Sequence, residues 1–233
     1  MDEMIDAVEL PLFPLNTVLF PGQVLPLHIF EERYRLMIRR CLAEDVPFGV
    51  VLIKRGQEVA EFEGDGAEPY SVGTIARIIE STHLTNGSMN IVTVGVERFR
   101  IRKLLHDQPY LRGEVVSLPM ADPANDAAVQ AAASRVKAEV ERYIDLISDA
   151  AGLQIQIDET PSAAQQMGYL AAITMQIDNR EKQELLGSSS VSNMLRRELA
   201  LLSRENALLT WMAGSKEWPE SAQFGFSGTL LPN

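Results

Sequence analysis

The chain has 233 residues, 46% hydrophobic and 23% charged, as expected for one large globular domain or two small ones. A chain this long can bury a core without disulfides or metals. Its formal net charge of −11 argues against a general nucleic-acid binder, which needs lysine and arginine gathered on one face.

The single cysteine, Cys41, allows no intramolecular disulfide and fits a reducing compartment. The opening Met1-Asp2-Glu3-Met4 is acidic where a signal peptide is basic, and no apolar run approaches the roughly 18 residues a membrane span needs. A cytoplasmic protein is expected.

Glu9 to Leu15 and Val24 to Phe30 read as strands, with Phe20-Pro21-Gly22 turning between them. Glu31 to Ala43 breaks that pattern. Tyr34, Met37, Ile38, Cys41 and Leu42 recur at helical spacing and form one apolar stripe, while Arg33, Arg35, Arg39 and Arg40 take other positions. In that setting Cys41 reads as a core thiol rather than a nucleophile. Phe48 to Lys54, Ser71 to Thr82, Ser88 to Val94, Arg98 to Leu105 and Leu111 to Leu118 follow as strands. Asn86-Gly87 predicts a type I′ hairpin turn, because both residues tolerate φ > 0. Arg55 to Pro69 carries Gly56, Gly64 and Gly66 among five acidic residues and reads as a mobile loop. Short, mostly antiparallel strands with one helix suggest a partly closed barrel.

Near Leu118 the pattern turns helical. Asp122 can cap a helix with Pro123 at its first position, running to Ala150 with Val129, Val136, Val140, Tyr143, Ile144 and Ile147 as its stripe. Thr160-Pro161 repeats the start signal for Ser162 to Ile173. Asp178-x-x-Glu181 resembles a capping box, and Gly187 ends that short helix. Ser189 or Ser190 starts the last helix, in which Met194, Leu195, Leu199, Leu202 and Leu209 recur near helical spacing. From Gly214 onward a loosely held tail is expected. The fold class is thus α+β: a β-rich subdomain over 1–120, a helical bundle over 121–213 and a tail over 214–233.

Three stretches in order carry a resemblance. The first is Leu10-Pro11-Leu12-Phe13-Pro14-Leu15 with Val18-Leu19-Phe20-Pro21-Gly22 and Leu25-Pro26-Leu27. The second is Val72-Gly73-Thr74-Ile75-Ala76. The third is the Asn86-Gly87 hairpin leading into Val94-Gly95-Val96-Glu97-Arg98-Phe99-Arg100-Ile101. Together they resemble the Lon N-terminal, or substrate-binding, domain family over about Leu10 to Leu118, and the helices to Met212 are compatible with it. The resemblance implies a PUA-like β pseudo-barrel followed by a helical bundle. The motif residues also have structural readings: prolines that protect edges, Gly73 and Gly95 at a bulge or close approach, and Arg98 anchoring loop carbonyls or an acidic group. Arg98, Arg100 and Arg102 alternate opposite Phe99 and Ile101, which predicts a solvated charged face.

Full-length Lon proteases continue into an ATPase and a serine–lysine protease. No Gly-x-x-x-x-Gly-Lys-Ser/Thr sequence is present, so Walker-type NTP hydrolysis is excluded. His28, His83 and His106 are isolated, and one cysteine makes no usual zinc site. No cofactor, metal or catalytic residue is expected. The resemblance implies a stand-alone, non-catalytic module that holds unfolded or specific protein segments, as an adaptor in protein quality control or proteolysis, without nucleic-acid or membrane partners. Phe13, Phe20, Leu84 and Met89 are candidate peptide contacts, because they flank turns and are expected to stay partly exposed. An oligomerisation module docking through Ser189 to Met212 is the alternative, and a peptidase the less favoured one.

Overall fold

The computed structural model describes residues 7–56, 68–121, 126–152 and 160–215. The cap at Asp122-Pro123, most of the Arg55–Pro69 loop and the tail beyond 215 lie outside these residues. Among the described residues the chain divides into two compact units: one runs to Pro119 and includes Asn179–Leu186, and the other holds Met120–Asp178 and the residues from Gly187 to Ser215.

In the first unit the strands are β1 (Val8–Leu15), β2 (Val24–Ile29), β3 (Phe48–Arg55), β4 (Glu68–Pro69), β5 (Val72–His83), β6 (Met89–Leu105) and β7 (Arg112–Ser117). β1 pairs antiparallel with β7, β7 with β6, β6 with β5 and β5 with β3; β3 returns to β1 in parallel. Five strands therefore close into a ring. β2 adds to the first half of β6, and β4 adds to β3.

The two strands expected at Ser88–Val94 and Arg98–Leu105 are one 17-residue strand, β6. Gly95 does not interrupt it. A Cβ there would sit 2.2 Å from the Phe20 carbonyl oxygen, so the missing side chain lets the Phe20-Pro21-Gly22 turn dock on the strand. Gly22 donates to Gly95 and Gly95 donates to Gln23, at 2.8 and 2.9 Å. Register shifts in the β5–β6 ladder occur between Thr74 and Ala76 and between Ile78 and Glu80. Gly73 is likewise a point of close approach, since a Cβ would lie 2.5 Å from the Val50 carbonyl oxygen.

Helix α1 (Glu32–Glu44) buries Tyr34, Met37, Ile38 and Cys41. Leu42, expected in the same stripe, is exposed at the edge of it. The helix packs into a core with Phe13, Leu25, Ile29, Phe48, Met89 and Ile91. A second cluster, Leu10, Leu12, Val51, Phe99 and Val115, fills the other part of the ring. Burying such side chains is worth about 1.5–3 kcal/mol each.

The hairpin at Asn86-Gly87 is not the expected type I′ turn. Only Gly87 has positive φ, at 82°, and Asn86 does not. Leu84 donates to Ser88 at 2.9 Å, and Gly87 donates to Leu84 at 3.0 Å, which makes a three-residue loop ending in a left-handed glycine. The Asn86 Oδ1 accepts from the Ser88 N–H at 3.0 Å, so the side chain stabilises its own turn.

One element departs from the expected division of the chain. Helix α4 (Asn179–Leu186) follows two helices of the second unit in sequence but belongs to the first. Gln183 Nε2 donates to the Val72 carbonyl at 2.9 Å and Asn179 Nδ2 to that of Asn16 at 2.5 Å. Leu185 and Leu186 are buried.

The second unit contains α2 (Ala127–Ala151), α3 (Ala164–Thr174) and α5 (Val191–Ser215). Helix α2 starts later than the sequence suggests: Asp126 is its cap and accepts from the Ala128 N–H at 2.8 Å. Gly152, at φ 64°, ends it. Its buried residues include the expected stripe together with Ala133. Ser190 caps α5, its Oγ accepting from the Asn193 N–H at 3.2 Å. The α5 stripe buries Met194, Leu195, Leu202 and Leu209, and with them Glu198 and Asn206.

Candidate functional site

The four residues singled out from the sequence separate in the structure. Phe13, Phe20 and Met89 are core side chains, and only Leu84 is exposed. Their places beside turns did not leave them open, for a local reason in each case. Phe13 stacks on Tyr34 of α1 with ring centroids 4.1 Å apart. Phe20 is fully buried, and its N–H donates to the Gln23 side chain at 3.0 Å. Met89 opens β6 with its side chain toward α1, beside Ile91.

The exposed apolar surface of the first unit lies elsewhere, on the outer face of the β2–β6–β5 layer. Register sets Val24, Val94 and Arg77 in one row, then Pro26, Val92 and Glu80, then His28, Asn90 and Thr82. Phe30 follows β2 and Leu84 follows β5, just beyond the paired residues. Ile79, the extra residue at the register shift, stands beside Glu80. Phe30 is 55% exposed, Ile79 49% and Leu84 36%; Pro26 is also exposed, and Val24, Val92 and Val94 are half-buried. The opposite faces of these strands carry Leu25, Ile29, Met89 and Ile91 into the core. The outer face is mixed: Pro26, Ile79 and the valines at 24, 92 and 94 lie among Arg77, Glu80, His28, Asn90 and Thr82, so β2 and the first part of β6 carry apolar side chains outward as well as into the core.

Side chains also meet across this face. His28 and Asn90 side chains meet at 2.6 Å, and the His28 ring stacks on Phe30 at 6.0 Å. Arg35 of α1 donates to the Gly87 carbonyl at 3.0 Å and pairs with Glu32, which fastens the hairpin loop to the helix.

Elsewhere the polar chemistry is structural. Arg98 is buried, not part of a solvated face; it donates to the carbonyls of Leu186 at 2.5 Å and Leu118 at 2.9 Å. It thereby caps the C-terminus of α4, where a cation is favoured. Arg100 and Arg102 are exposed, as expected. Burial pushes the Cys41 thiol up to about 11, which removes the thiolate a nucleophile needs. Burial also holds the Glu198 carboxyl well above the usual carboxylate range. Among the described residues, no cluster of three or more histidine, cysteine, aspartate or glutamate side chains could hold a metal ion, and no helix is long and apolar enough to cross a membrane.

Sequence reasoning missed Phe30, Ile79 and Glu198. Phe30 had a signal in the mostly apolar run Val24-Leu25-Pro26-Leu27 that precedes it; Ile79 had none, because it is the extra residue of a register shift. Glu198 had one too, a carboxylate on the apolar stripe between Leu195 and Leu202.

A ring-closed β layer with one packed helix, followed by a helical unit, defines an α+β fold. The chain belongs to the substrate-binding domain family of the ATP-dependent protease La (LON), whose family model matches residues 9–204. It is 27% identical over 201 residues to Lon protease of Anaeromyxobacter dehalogenans and 30% identical over 203 residues to Lon protease 2 of Herpetosiphon aurantiacus. These matches cover 86% and 85% of this chain but 24% of each relative, so the chain spans about a quarter of their length. Among solved structures it is similar to a Lon N-terminal domain protein from Xanthomonas campestris, with TM-score 0.60 and 25% identity over 83% of this chain and 98% of the other. The N-terminal domain of a Mycobacterium avium complex Lon protease shares the fold, with TM-score 0.57 and 22% identity over 84% of this chain and 98% of the other.

Proposed function

We propose that this protein is a non-catalytic module that holds apolar segments of unfolded polypeptide on the outer face of its β2–β6–β5 layer. The observation that carries this reading is the exposed apolar set of Pro26 and Ile79 on the outer side of the β2–β6–β5 layer, with Phe30 and Leu84 exposed just past the ends of β2 and β5; exposed apolar surface that gathers in one patch marks interaction sites. Membership in a substrate-binding family supports a polypeptide as the ligand. The acidic chain disfavours nucleic acid, and the single free cysteine is compatible with work in the cytoplasm. The relatives named as Lon proteases support an adaptor role in proteolysis.

Fluorescence anisotropy with labelled, permanently unfolded casein tests the reading. Saturable binding is expected, weakened at least tenfold in a Phe30→Ser/Ile79→Ser double variant. Binding that does not saturate, or that the variant leaves unchanged, would remove this face from consideration.

A second reading has its own observation. On α5, Leu208 and Trp211 are exposed at 48% and 64%, and with half-buried Leu201 they fall at 201, 208 and 211 along one helical stripe. That stripe favours self-association through the last helix. Light scattering across a concentration series distinguishes it, since a strict monomer at high concentration would end this reading.

A further inference from the structure

Strand β2 has β6 on one side and, among the described residues, no strand on the other. The phase of the β2–β6 ladder says which backbone groups face that open side. Gly95 donates to the Gln23 carbonyl directly opposite it, in the register that sets Val24 against Val94. Hydrogen-bonded and non-bonded pairs alternate along an antiparallel ladder. Val24/Val94, Pro26/Val92 and His28/Asn90 are therefore the non-bonded pairs, and the N–H and C=O groups of Val24, Pro26 and His28 point away from β6.

Two further observations agree with that phase. Pro26 has no N–H and occupies a position where the ladder needs none. The His28 and Asn90 side chains approach to 2.6 Å, as suits the closer, non-bonded kind of pair. The open edge thus offers donors at Val24 and His28 and acceptors at Val24, Pro26 and His28. Among the described residues, no backbone group takes either donor.

A second open edge exists on β5 beyond Ala76, but it runs through exposed Glu80, Ser81, Thr82 and His83. Polar and charged residues of that kind keep strands from adding. The β2 edge differs in charge: no residue from Val24 to Phe30 carries a carboxylate, ammonium or guanidinium group, and its outer side carries Val24, Pro26 and His28, with Phe30 just beyond the strand. An uncharged segment loses least on docking there, because no fixed charge has to be desolvated or matched.

Resting on the polypeptide-binding reading above, we infer that the bound segment lies along β2 as an added strand, hydrogen-bonded to Val24 and His28 and carrying uncharged, apolar side chains over the outer face. Val24 and His28 are four residues apart, roughly 13 Å, so about five residues of the segment span the bonds. Pro26 withholds the middle donor, which stops the edge from templating an unbroken ladder.

The probe is a capped peptide of alternating valine and threonine with a lysine at each end, titrated by anisotropy into the full chain. Two derivatives carry N-methyl groups on either all valines or all threonines. Antiparallel addition places the valines as bonding residues on the outer face, and parallel addition places the threonines, so one derivative should lose at least tenfold in affinity while the other binds as the parent does. On the protein side, His28→Pro should lose a similar factor while His28→Val, which keeps the N–H, retains binding. If both N-methyl derivatives bind like the parent, strand addition is overturned while binding on the face stands. If the parent peptide does not bind, the polypeptide-binding reading falls with it.

Discussion

Glu198 offers a test of the helical unit that no contact energy alone would suggest. Its carboxyl is fully buried on α5, and neither oxygen has a hydrogen-bond partner among the described residues. Helix α3 packs against it closely enough that a Cβ on Gly168 would come within 3.2 Å of Oε2. Burial favours the protonated form, so the folded-state pKa is raised. Below the ordinary carboxylate value of 4.5, folded and unfolded chains both hold the proton and the contribution to stability is fully present. Above it, the unfolded chain releases the proton while the folded chain keeps it. The free energy of unfolding then falls by about 1.4 kcal/mol per pH unit until the pH passes the raised folded value. Glu198→Gln keeps the shape and removes the titration. Urea denaturation of both chains at half-unit steps from pH 5 to 9 should show the substituted chain gaining steadily on the natural one. Glu198→Leu should be more stable still at pH 8, because it also removes an unsatisfied polar group worth about 1–3 kcal/mol. A stability difference between the natural chain and the Glu198→Gln variant that is flat across this range would refute a buried, neutral carboxyl.

Arg98→Ala should cost about 2–4 kcal/mol in denaturant melts, since it leaves two carbonyls without their charged donor; Arg98→Lys should recover part of that. Gly95→Ala should destabilise far more than Gly87→Ala, because the first drives a Cβ into the Phe20 carbonyl while the second costs about 1–2 kcal/mol of left-handed strain. A chain cut after residue 120 should melt earlier than the full chain by circular dichroism, because it lacks α4 and with it the Leu186 carbonyl that accepts from Arg98 and the side-chain donors to the Val72 and Asn16 carbonyls. Cys41 should resist a thiol reagent at pH 8 in the native chain and react once urea is added, given its burial and its thiol held at about 11.

The elements themselves were legible because their signals are local. Period-two runs placed most strands within a residue or two, and the stripe from Tyr34 to Cys41 placed α1. What stayed hidden depends on distant partners. Nothing in Gly95-Val96-Glu97 says that β6 continues through it; the turn at Phe20 and the shifted register of β5 decide that. The eight residues of α4 carry a helical pattern but no mark of their partner, which is set by Arg98 and by carbonyls at Asn16 and Val72. The exposure expected of Phe13, Phe20 and Met89 failed for the same reason. Phe13, Phe20 and Met89 are as apolar as Phe30 and Ile79, and only the third dimension sorts the core from the open face.

The central claim is that unfolded polypeptide docks on the outer β2–β6–β5 face. Amide chemical shifts of the isotope-labelled full chain, followed while unfolded casein is added, test it most directly. Shifts are expected to cluster on Val24 to Phe30, on Asn90 to Val94 and on Ile79 to Leu84, with α2 and α3 undisturbed. Shifts confined to the helical unit, or none at saturating casein, would contradict it.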